Sequence, residues 1–313
     1  MAEHLPTESP KPAGGWSFTR SDEFSVRNIS SWRVAEGAAS DSHLVQVSWP
    51  LDWPTDPCTR ANVLYVVDGN AMFLTATEVV RQRQALQPQK PGTIVVGIGY
   101  PLADTASLWD ARRGYDLTPP CEKFTPPNGP DGQPQPHDYG GADKFLHLIT
   151  TVVQPFLLGS VFPRLELART ALFGHSYGGL FVLHSLFTHP ASFDTYLAAS
   201  PSIWWNDRFV LAEESRFLLD PGPVSRPALR LCYGSREQFP VRNKAESDES
   251  FERQVLGKME RRMNDNCKEM YDRLVCAGRL RSVELREYPD EDHGSVIAAA
   301  LSGSILYFLD LEG

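Results

Sequence analysis

A serine flanked by glycines near the middle of the chain has the setting of a covalent nucleophile. Residues 174–178 read Gly-His-Ser-Tyr-Gly, with an apolar β-type run before them and an apolar helical run after them. A tight strand-to-helix turn would expose the hydroxyl of Ser176 to a substrate carbonyl. A glycine-rich phosphate turn is the alternative, but the Lys-Ser/Thr pair of a phosphate loop does not follow the glycines. The pattern therefore predicts acyl transfer through an ester on Ser176.

A general base for this serine is expected further along the chain, because a nucleophile elbow is followed by an acid and then a histidine. The chain has eight histidines, and the one that lies beyond the elbow and its helix is His293. It follows a predicted strand and precedes the last predicted helix. A neutral imidazole can take the serine proton at about pH 7 and return it to the leaving group. A surface histidine is the alternative.

The acid that orients the imidazole has several candidates. Glu237 lies closest to the end of the predicted strand 229–233, and we predict that it accepts a hydrogen bond from His293. Three further carboxylates follow along the same stretch: Glu246, Asp248 and Glu249. A serine–histidine dyad is the alternative, with Asp290, Asp292 or a backbone carbonyl orienting the imidazole.

Backbone N–H groups are expected to bind the oxyanion that forms when the serine attacks. We predict that one of them is the N–H of Tyr177, directly after the nucleophile. The second is expected after the predicted strand 62–67, where Asp-Gly-Asn lets the backbone approach closely, with Gly69 or Asn70 as the donor. A plain turn is the alternative for this tripeptide.

Short apolar runs alternate with helical stretches over most of the chain. The predicted strands are 62–67, 93–98, 169–173, 195–199, 229–233 and 283–288. The predicted helices are 76–86, 142–158, 179–188, 251–277 and 295–311. Continuous apolar strands are typical of a parallel sheet that is covered on both faces, and the alternating residues 18–49 predict antiparallel opening strands. Together with the elbow, this predicts an α/β-hydrolase fold with a mostly parallel central sheet and helices on both faces.

The chain is predicted to hold one catalytic domain over residues 16–313, behind a flexible tail at residues 1–15. Residues 101–141 are rich in proline and glycine and are far longer than an ordinary connection in an α/β protein. Because this segment leaves the carboxyl end of a predicted parallel strand, we expect part of the substrate site there.

Composition and charge disfavour several classes of protein. A net charge of −9 would repel nucleic acid, and five cysteines without Cys-x-x-Cys spacing predict reduced thiols rather than disulfides or a metal site. The N-terminus has no apolar signal region, and no run of about 18 apolar residues predicts a membrane span. We expect a cytoplasmic protein with a small-molecule partner; the sequence indicates no oligomeric state.

Three segments resemble the putative esterase family that includes esterase D, and within it the siderophore esterases. They are LYVVDGNAMF (64–73), ALFGHSYGGLFVLHSLFTHPASFDTYLAASPSIWW (171–205) and EYPDEDHGSVIAAAL (287–301). The resemblance runs from about residue 17 to residue 308. It implies hydrolysis of an iron chelator of the fusarinine type, with triacetylfusarinine C as the expected substrate.

The resemblance also implies substrate contacts. The stretch ARRGYDLTPP (111–120) is similar to an arginine-rich stretch of siderophore esterases, so Arg112 or Arg113 would contact the siderophore. The alternative is an arginine that ties the long loop to Asp110 or Asp116. The placement of Trp204 and Trp205 after a predicted strand suggests that they wall the crevice, with core packing as the alternative.

The combined prediction is a serine esterase that opens siderophore esters through an acyl-enzyme and needs no cofactor or metal, since iron arrives within the substrate. An S-formylglutathione hydrolase or general carboxylesterase is the first alternative. A non-catalytic siderophore-binding protein is the second.

Overall fold

Eight strands form a single sheet in the part of the chain that the computed structural model describes. The described residues are 27–36, 42–53, 59–101, 107–124, 138–220, 226–242, 244 and 246–311. The strands are β1 Ile29–Val34, β2 His43–Ser48, β3 Arg60–Val67, β4 Gly92–Gly99, β5 Glu166–His175, β6 Thr195–Ala199, β7 Ala228–Gly234 and β8 Ser282–Tyr288. Their order across the sheet is β1-β2-β4-β3-β5-β6-β7-β8.

Most neighbouring strands run parallel, as the sequence predicts. The pairs β4–β3, β3–β5, β5–β6, β6–β7 and β7–β8 are parallel, whereas β2 is antiparallel to both of its neighbours. The carboxyl ends of β3, β5, β6, β7 and β8 therefore meet at one edge of the sheet. This topology confirms the predicted fold class and places the segments that follow these strands side by side.

Apolar side chains on the strands supply a core on each face of the sheet. Along β3, Val63, Tyr65 and Val67 point into one cluster, whereas Leu64 and Val66 point into the other. This alternation is the period of two that a strand imposes on its side chains. Burial of one such side chain stabilises the fold by about 1.5–3 kcal/mol.

Several helices lie around the sheet in the described part of the chain. They are Gly69–Leu86, Arg113–Asp116, Ala142–Val161, Tyr177–Thr188, Trp205–Arg208, Val210–Leu219, Asp248–Arg261, Met263–Ala277 and Val296–Asp310. Gly69–Leu86 and Val296–Asp310 pack on one face of the sheet. The other face is covered chiefly by Ala142–Val161, Tyr177–Thr188 and Met263–Ala277.

The predicted helix 251–277 is wrong as a single element. It is divided at Arg262, which has φ 48° and ψ 43°, so that Asp248–Arg261 ends there and Met263–Ala277 begins. A left-handed backbone is unfavourable for arginine by roughly 1 kcal/mol, and its guanidinium donates to Glu269 at 2.6 Å across the break. The polar pattern on both sides gave no sign of this turn.

One helix among the described residues, Ala142–Val161, is long and apolar enough by length and composition to cross a membrane. It is a continuous helix with widened turns at Leu148–Val153 and Leu157–Val161. Six of its side chains are buried in the core: Ala142, Phe145, Leu146, Ile149, Val153 and Leu157. A core helix of this composition passes the same test, so the helix alone is weak evidence for a membrane span.

Part of the predicted long loop is anchored to the sheet. The helix Arg113–Asp116 lies within it, and the Asp116 carboxylate accepts hydrogen bonds from the Tyr100 hydroxyl and His43 Nε2, each at 2.9 Å. The predicted tail at residues 1–15 and the loop residues 102–106 and 125–137 lie outside the described residues.

An ion-pair cluster centred on the buried His184 joins three helices. His184 is 1% exposed, and its two ring nitrogens donate to Glu213 and Asp143, both at 2.9 Å. Burial disfavours the charged ring, but the two carboxylates outweigh it and raise the pKa of His184 from 6.5 to about 9. The folded protein therefore holds an imidazolium at neutral pH.

Replacing His184 with Gln should lower the free energy of unfolding by roughly 3 kcal/mol at about pH 6, because Glu213 then stays buried without a cation. Since folding raises the pKa of His184 from 6.5 to about 9, the stabilisation is complete below pH 6.5 and is lost as the pH rises through 9. Urea unfolding at a series of pH values should show the two proteins converging in stability in that window.

The matched control is His189→Gln, at an exposed histidine directly after the same helix. It should change the free energy of unfolding little at any pH. A stability gap for His184→Gln that stays constant across the pH range would argue against a charged imidazole.

Candidate active site

Ser176 lies at the sharp turn between β5 and the helix Tyr177–Thr188. Its backbone has φ 60° and ψ −116°, a strained conformation for a residue with a side chain. The turn needs small neighbours, since a Cβ atom on Gly174 would lie 2.2 Å from the carbonyl oxygen of Gly178. The arrangement is a nucleophile elbow, and it lifts the serine hydroxyl above the carboxyl edge of the sheet.

Backbone hydrogen bonds from the neighbouring strand hold the elbow in place. The N–H of Ser176 donates to the carbonyl of Ala199 at the end of β6, at 3.0 Å. The carbonyl of Ser176 accepts from the N–H of Ser202 at 3.1 Å and from Leu180 at 3.0 Å. The strained turn is thus supported by contacts on both sides.

The imidazole of His293 lies within hydrogen-bonding distance of the nucleophile. Its Nε2 is 2.9 Å from Ser176 Oγ, where it can accept the serine proton. The loop that carries it is shaped by Asp292, whose carboxylate accepts from the N–H groups of Gly294 at 2.8 Å and Ser295 at 2.9 Å. These contacts, chiefly that with Ser295, hold the pKa of Asp292 below its usual range.

Glu237 lies on the far side of the imidazole. Its Oε2 accepts from His293 Nδ1 at 2.6 Å, while its Oε1 accepts from Ser200 Oγ and from the N–H of Gly234, each at 2.6 Å. The side chain is completely buried. Three donors therefore hold one carboxylate in line with the base and the nucleophile.

The other candidate acids have different partners. Asp290 pairs with Arg236 at 2.6 Å, and Asp248 pairs with Arg242 at 2.5 Å. Glu246 accepts from the Ser250 hydroxyl at 3.0 Å. Of the carboxylates weighed from the sequence, Glu237 is the one found in hydrogen-bonding contact with His293 in the described part of the chain.

His175 also contacts the base, and the sequence reasoning missed it. His175 is 3% exposed and its ring packs against the ring of His293, with the ring centroids 4.6 Å apart and the planes tilted by 39°. Burial lowers the pKa of His175, and the nearby His293 and Arg113 lower it further, so this ring stays neutral. Its only signal in the sequence is its place next to the serine.

The predicted oxyanion donors lie on two adjacent strand ends. Tyr177 begins the elbow helix, and Gly69 begins the helix that follows β3, which is the neighbour of β5 in the sheet. N–H groups in the first turn of a helix have no acceptor within the helix, so they can bind an anion. Asn70 lies in the same first turn, and its side chain is used elsewhere, since it bonds to both the N–H and the carbonyl of Tyr100.

The two candidate arginines are both engaged with the protein. Arg113 forms a two-pronged ion pair with Asp68, with Nε–Oδ1 2.9 Å and Nη2–Oδ2 2.8 Å. Arg112 donates to the carbonyl of Ser42 at 2.8 Å and lies 3.6 Å from Asp110. One alternative drawn from the sequence is that an arginine ties the long loop to Asp110 or Asp116, and Arg112 does so with Asp110. Arg113 instead ties the loop to Asp68, which the sequence did not suggest.

Arg112 lines a cavity that is separate from the triad. This cavity of about 650 Å³ is also lined by His43, Asp116 and Lys144. None of the three triad residues, Ser176, His293 and Glu237, lines it. Arg113 by contrast faces the elbow, since its guanidinium lies 5.5 Å from the ring centre of Tyr177. Of the two arginines, Arg113 is the one beside the nucleophile.

The two tryptophans have different surroundings. Trp204 is half-buried, and its ring centre lies 6.3 Å from that of Tyr177, beside the elbow. Trp205 is 1% exposed and stacks on Phe124 at 5.5 Å between ring centres. Core packing therefore describes Trp205, and the predicted crevice wall is wrong for it.

No cluster of three or more His, Cys, Asp or Glu side chains that could hold a metal ion occurs among the described residues. The four cysteines of the described part, Cys121, Cys232, Cys267 and Cys276, are free thiols.

Known proteins similar to this chain are esterases. A model of the putative esterase family matches residues 39–272. The chain is 52% identical over 302 residues to the siderophore enterobactin esterase of Emericella nidulans, covering 95% of this chain and 99% of that protein. It is 42% identical over 281 residues to the siderophore triacetylfusarinine C esterase of Aspergillus fumigatus, covering 88% and 91%.

A solved structure is similar over nearly its whole length. The siderophore hydrolase EstA from Aspergillus nidulans matches with a TM-score of 0.91 and 51% identity, covering 95% of this chain and 99% of that one. These comparisons confirm the family resemblance that the sequence segments suggested. The family model ends before His293, so the case for this histidine rests on its geometry.

Replacing Glu237 with Gln should lower kcat/KM for an activated ester by about 10³-fold or more, because an amide cannot stabilise the imidazolium. Steady-state hydrolysis of p-nitrophenyl butyrate would measure it. Asp290→Asn is the matched control, and its kcat/KM should stay within about twofold because that carboxylate pairs with Arg236 outside the site. If the Glu237 variant kept near-normal turnover, a serine–histidine dyad would replace the triad.

Proposed function

This chain belongs to the putative esterase family and is a carboxylic ester hydrolase, and we propose that it opens the ester bonds of an iron-chelating siderophore through an acyl-enzyme. The observation that carries the proposal is the hydrogen-bonded chain Ser176–His293–Glu237 at the carboxyl edge of the sheet. The 2.9 Å between Ser176 Oγ and His293 Nε2 is short enough for proton transfer, and the 2.6 Å between His293 Nδ1 and Glu237 Oε2 is a hydrogen bond that orients the imidazole.

In the first step Ser176 Oγ attacks the ester carbonyl carbon while His293 Nε2 takes the serine proton. The carbonyl oxygen becomes an oxyanion, which accepts hydrogen bonds from the N–H of Tyr177 and from that of Gly69 or Asn70. When the C–O bond breaks, the alcohol of the siderophore leaves with the proton from His293. The acyl group stays on the serine.

In the second step water attacks the acyl-enzyme. His293 removes a proton from the water, and the new oxyanion uses the same donors. Collapse of this intermediate releases the carboxylic acid, and Ser176 recovers its proton from the imidazolium. These steps require no cofactor, because His293 takes up each proton and returns it.

Glu237 stabilises the imidazolium in both steps. Its hydrogen bonds from Ser200 and Gly234 hold the carboxylate in one orientation, so Nδ1 of His293 donates to Glu237 and Nε2 faces Ser176. Ser200 reaches the carboxylate from a backbone with φ 43°, an unusual conformation for serine.

The relatives suggest two classes of siderophore. The one named for enterobactin, a tris-catecholate, is 52% identical to this chain, and the one named for triacetylfusarinine C, a tris-hydroxamate, is 42% identical. We favour a tris-catecholate ester as the preferred substrate, with triacetylfusarinine C, the substrate expected from the sequence, as the second candidate. A cytoplasmic site of action stays a prediction from the sequence.

Replacing Ser176 with Ala should abolish hydrolysis of the ferric siderophore and labelling by a fluorophosphonate, while circular dichroism and the thermal midpoint stay near those of the wild type. The reason is that Ala removes the attacking oxygen without adding bulk at the elbow. Product mass spectrometry of ferric enterobactin and ferric triacetylfusarinine C would measure it. Substantial residual turnover by this variant would exclude Ser176 as the nucleophile.

S-formylglutathione serves as the competing substrate in the same assay. Turnover of the thioester by the wild type, with neither siderophore cleaved, would keep the hydrolase mechanism and reject the siderophore as substrate.

A further inference from the structure

Three aromatic rings and two guanidinium groups lie in a row beside the nucleophile. We call the five side chains Trp109, Arg113, Tyr177, Trp204 and Arg261 the stacked row. The guanidinium of Arg113 lies 5.1 Å from the ring centre of Trp109 and 5.5 Å from that of Tyr177. The rings of Tyr177 and Trp204 are 6.3 Å apart, and the guanidinium of Arg261 lies 4.9 Å from the ring centre of Trp204.

The two cations of the stacked row differ in how their charge is balanced. Arg113 is matched by Asp68, a carboxylate whose side chain is 2% exposed, and the side chain of Arg113 itself is 17% exposed. This two-pronged pair neutralises the guanidinium within the protein and uses donors that a ligand would need. Arg113 therefore has little net attraction left for an anion.

Arg261 has no such partner in the part of the chain that the structure describes. No described carboxylate lies within ion-pair distance of its guanidinium, and the residue is exposed. Among the described residues its guanidinium lies over the ring of Trp204, and because the residue is exposed its donors can reach a ligand. Its positive charge also reaches Tyr177, the residue after the nucleophile.

The backbone around Arg261 supports this placement. It is the last residue of the helix Asp248–Arg261, of which no residue is buried. The chain then turns through the left-handed Arg262, and the carbonyl of Arg261 accepts from the Asn266 side chain at 3.0 Å. A basic residue at a helix end is common because it offsets the helix dipole. The helix dipole alone does not explain why the guanidinium of Arg261 lies over the ring of Trp204.

We propose that Arg261 is a specificity-determining residue that attracts the anionic iron chelate of a tris-catecholate substrate while an ester bond reaches Ser176. This inference rests on the proposed siderophore esterase function. A ferric tris-catecholate is anionic because each catecholate has lost two protons, whereas a ferric tris-hydroxamate is neutral because each hydroxamate has lost one. A cation without a carboxylate partner therefore attracts a ferric tris-catecholate and has no net electrostatic attraction for a ferric tris-hydroxamate.

The test compares three variants on two ferric siderophores. Arg261→Gln removes the charge, Arg261→Lys keeps it, and Arg253→Gln removes an exposed arginine from the same helix as the matched control. Each protein is assayed for kcat and KM with ferric enterobactin and with ferric triacetylfusarinine C. Thermal unfolding verifies that each variant is folded.

We expect Arg261→Gln to raise KM for ferric enterobactin by about tenfold and to change KM for ferric triacetylfusarinine C by less than about twofold. Arg261→Lys should recover most of the affinity, and Arg253→Gln should match the wild type. Added salt should weaken binding of ferric enterobactin to the wild type more than to Arg261→Gln, because screening acts on the charge that the variant lacks.

Equal losses of Arg261→Gln on both siderophores would indicate a structural role and overturn the inference. So would an unchanged KM for ferric enterobactin. Quenching of tryptophan fluorescence by ferric enterobactin in the Ser176→Ala background gives the affinity without turnover. If wild-type enzyme cleaves neither siderophore and the Ser176→Ala protein binds neither, the proposed function itself fails and the inference fails with it.

Discussion

The buried carboxylate of Glu237 is the group on which the arrangement of the site depends. A buried anion costs several kcal/mol unless hydrogen bonds replace its lost water. Here the donors come from Gly234 at the end of β7, Ser200 after β6 and His293 on the loop before the last helix. Three segments must meet for the charge to be stable inside the protein. The fold and the catalytic geometry are therefore coupled through one side chain.

The sheet and the elbow could be predicted because their signals are local. Continuous apolar runs such as 62–67 mark strands that are buried on both faces, and the glycines around Ser176 mark a turn that only small residues fit. His293 followed from chain order in this fold. Glu237 could be placed first among the acids because it comes right after β7.

The rest of the site depends on contacts between distant segments, which sequence spacing does not encode. Arg113 and Asp68 are 45 residues apart in the chain, and the sequence around either residue gives no indication that they form an ion pair. Trp204 and Trp205 are neighbours in sequence, yet one faces the elbow and the other the core. The left-handed turn at Arg262 lies in a polar stretch without glycine, so the division of the predicted long helix carried no signal.

The absence of buried side chains from the helix Asp248–Arg261 bears on how substrate preference can diverge in this fold. Substitutions on a surface helix usually change the free energy of unfolding by less than about 0.5 kcal/mol, whereas core substitutions cost several times more. Residues on this helix, Arg261 among them, can therefore change while the sheet, the elbow and Glu237 stay the same. Substrate preference could then change through substitutions on this helix, without loss of stability in the core and without a change in the Ser176–His293–Glu237 triad.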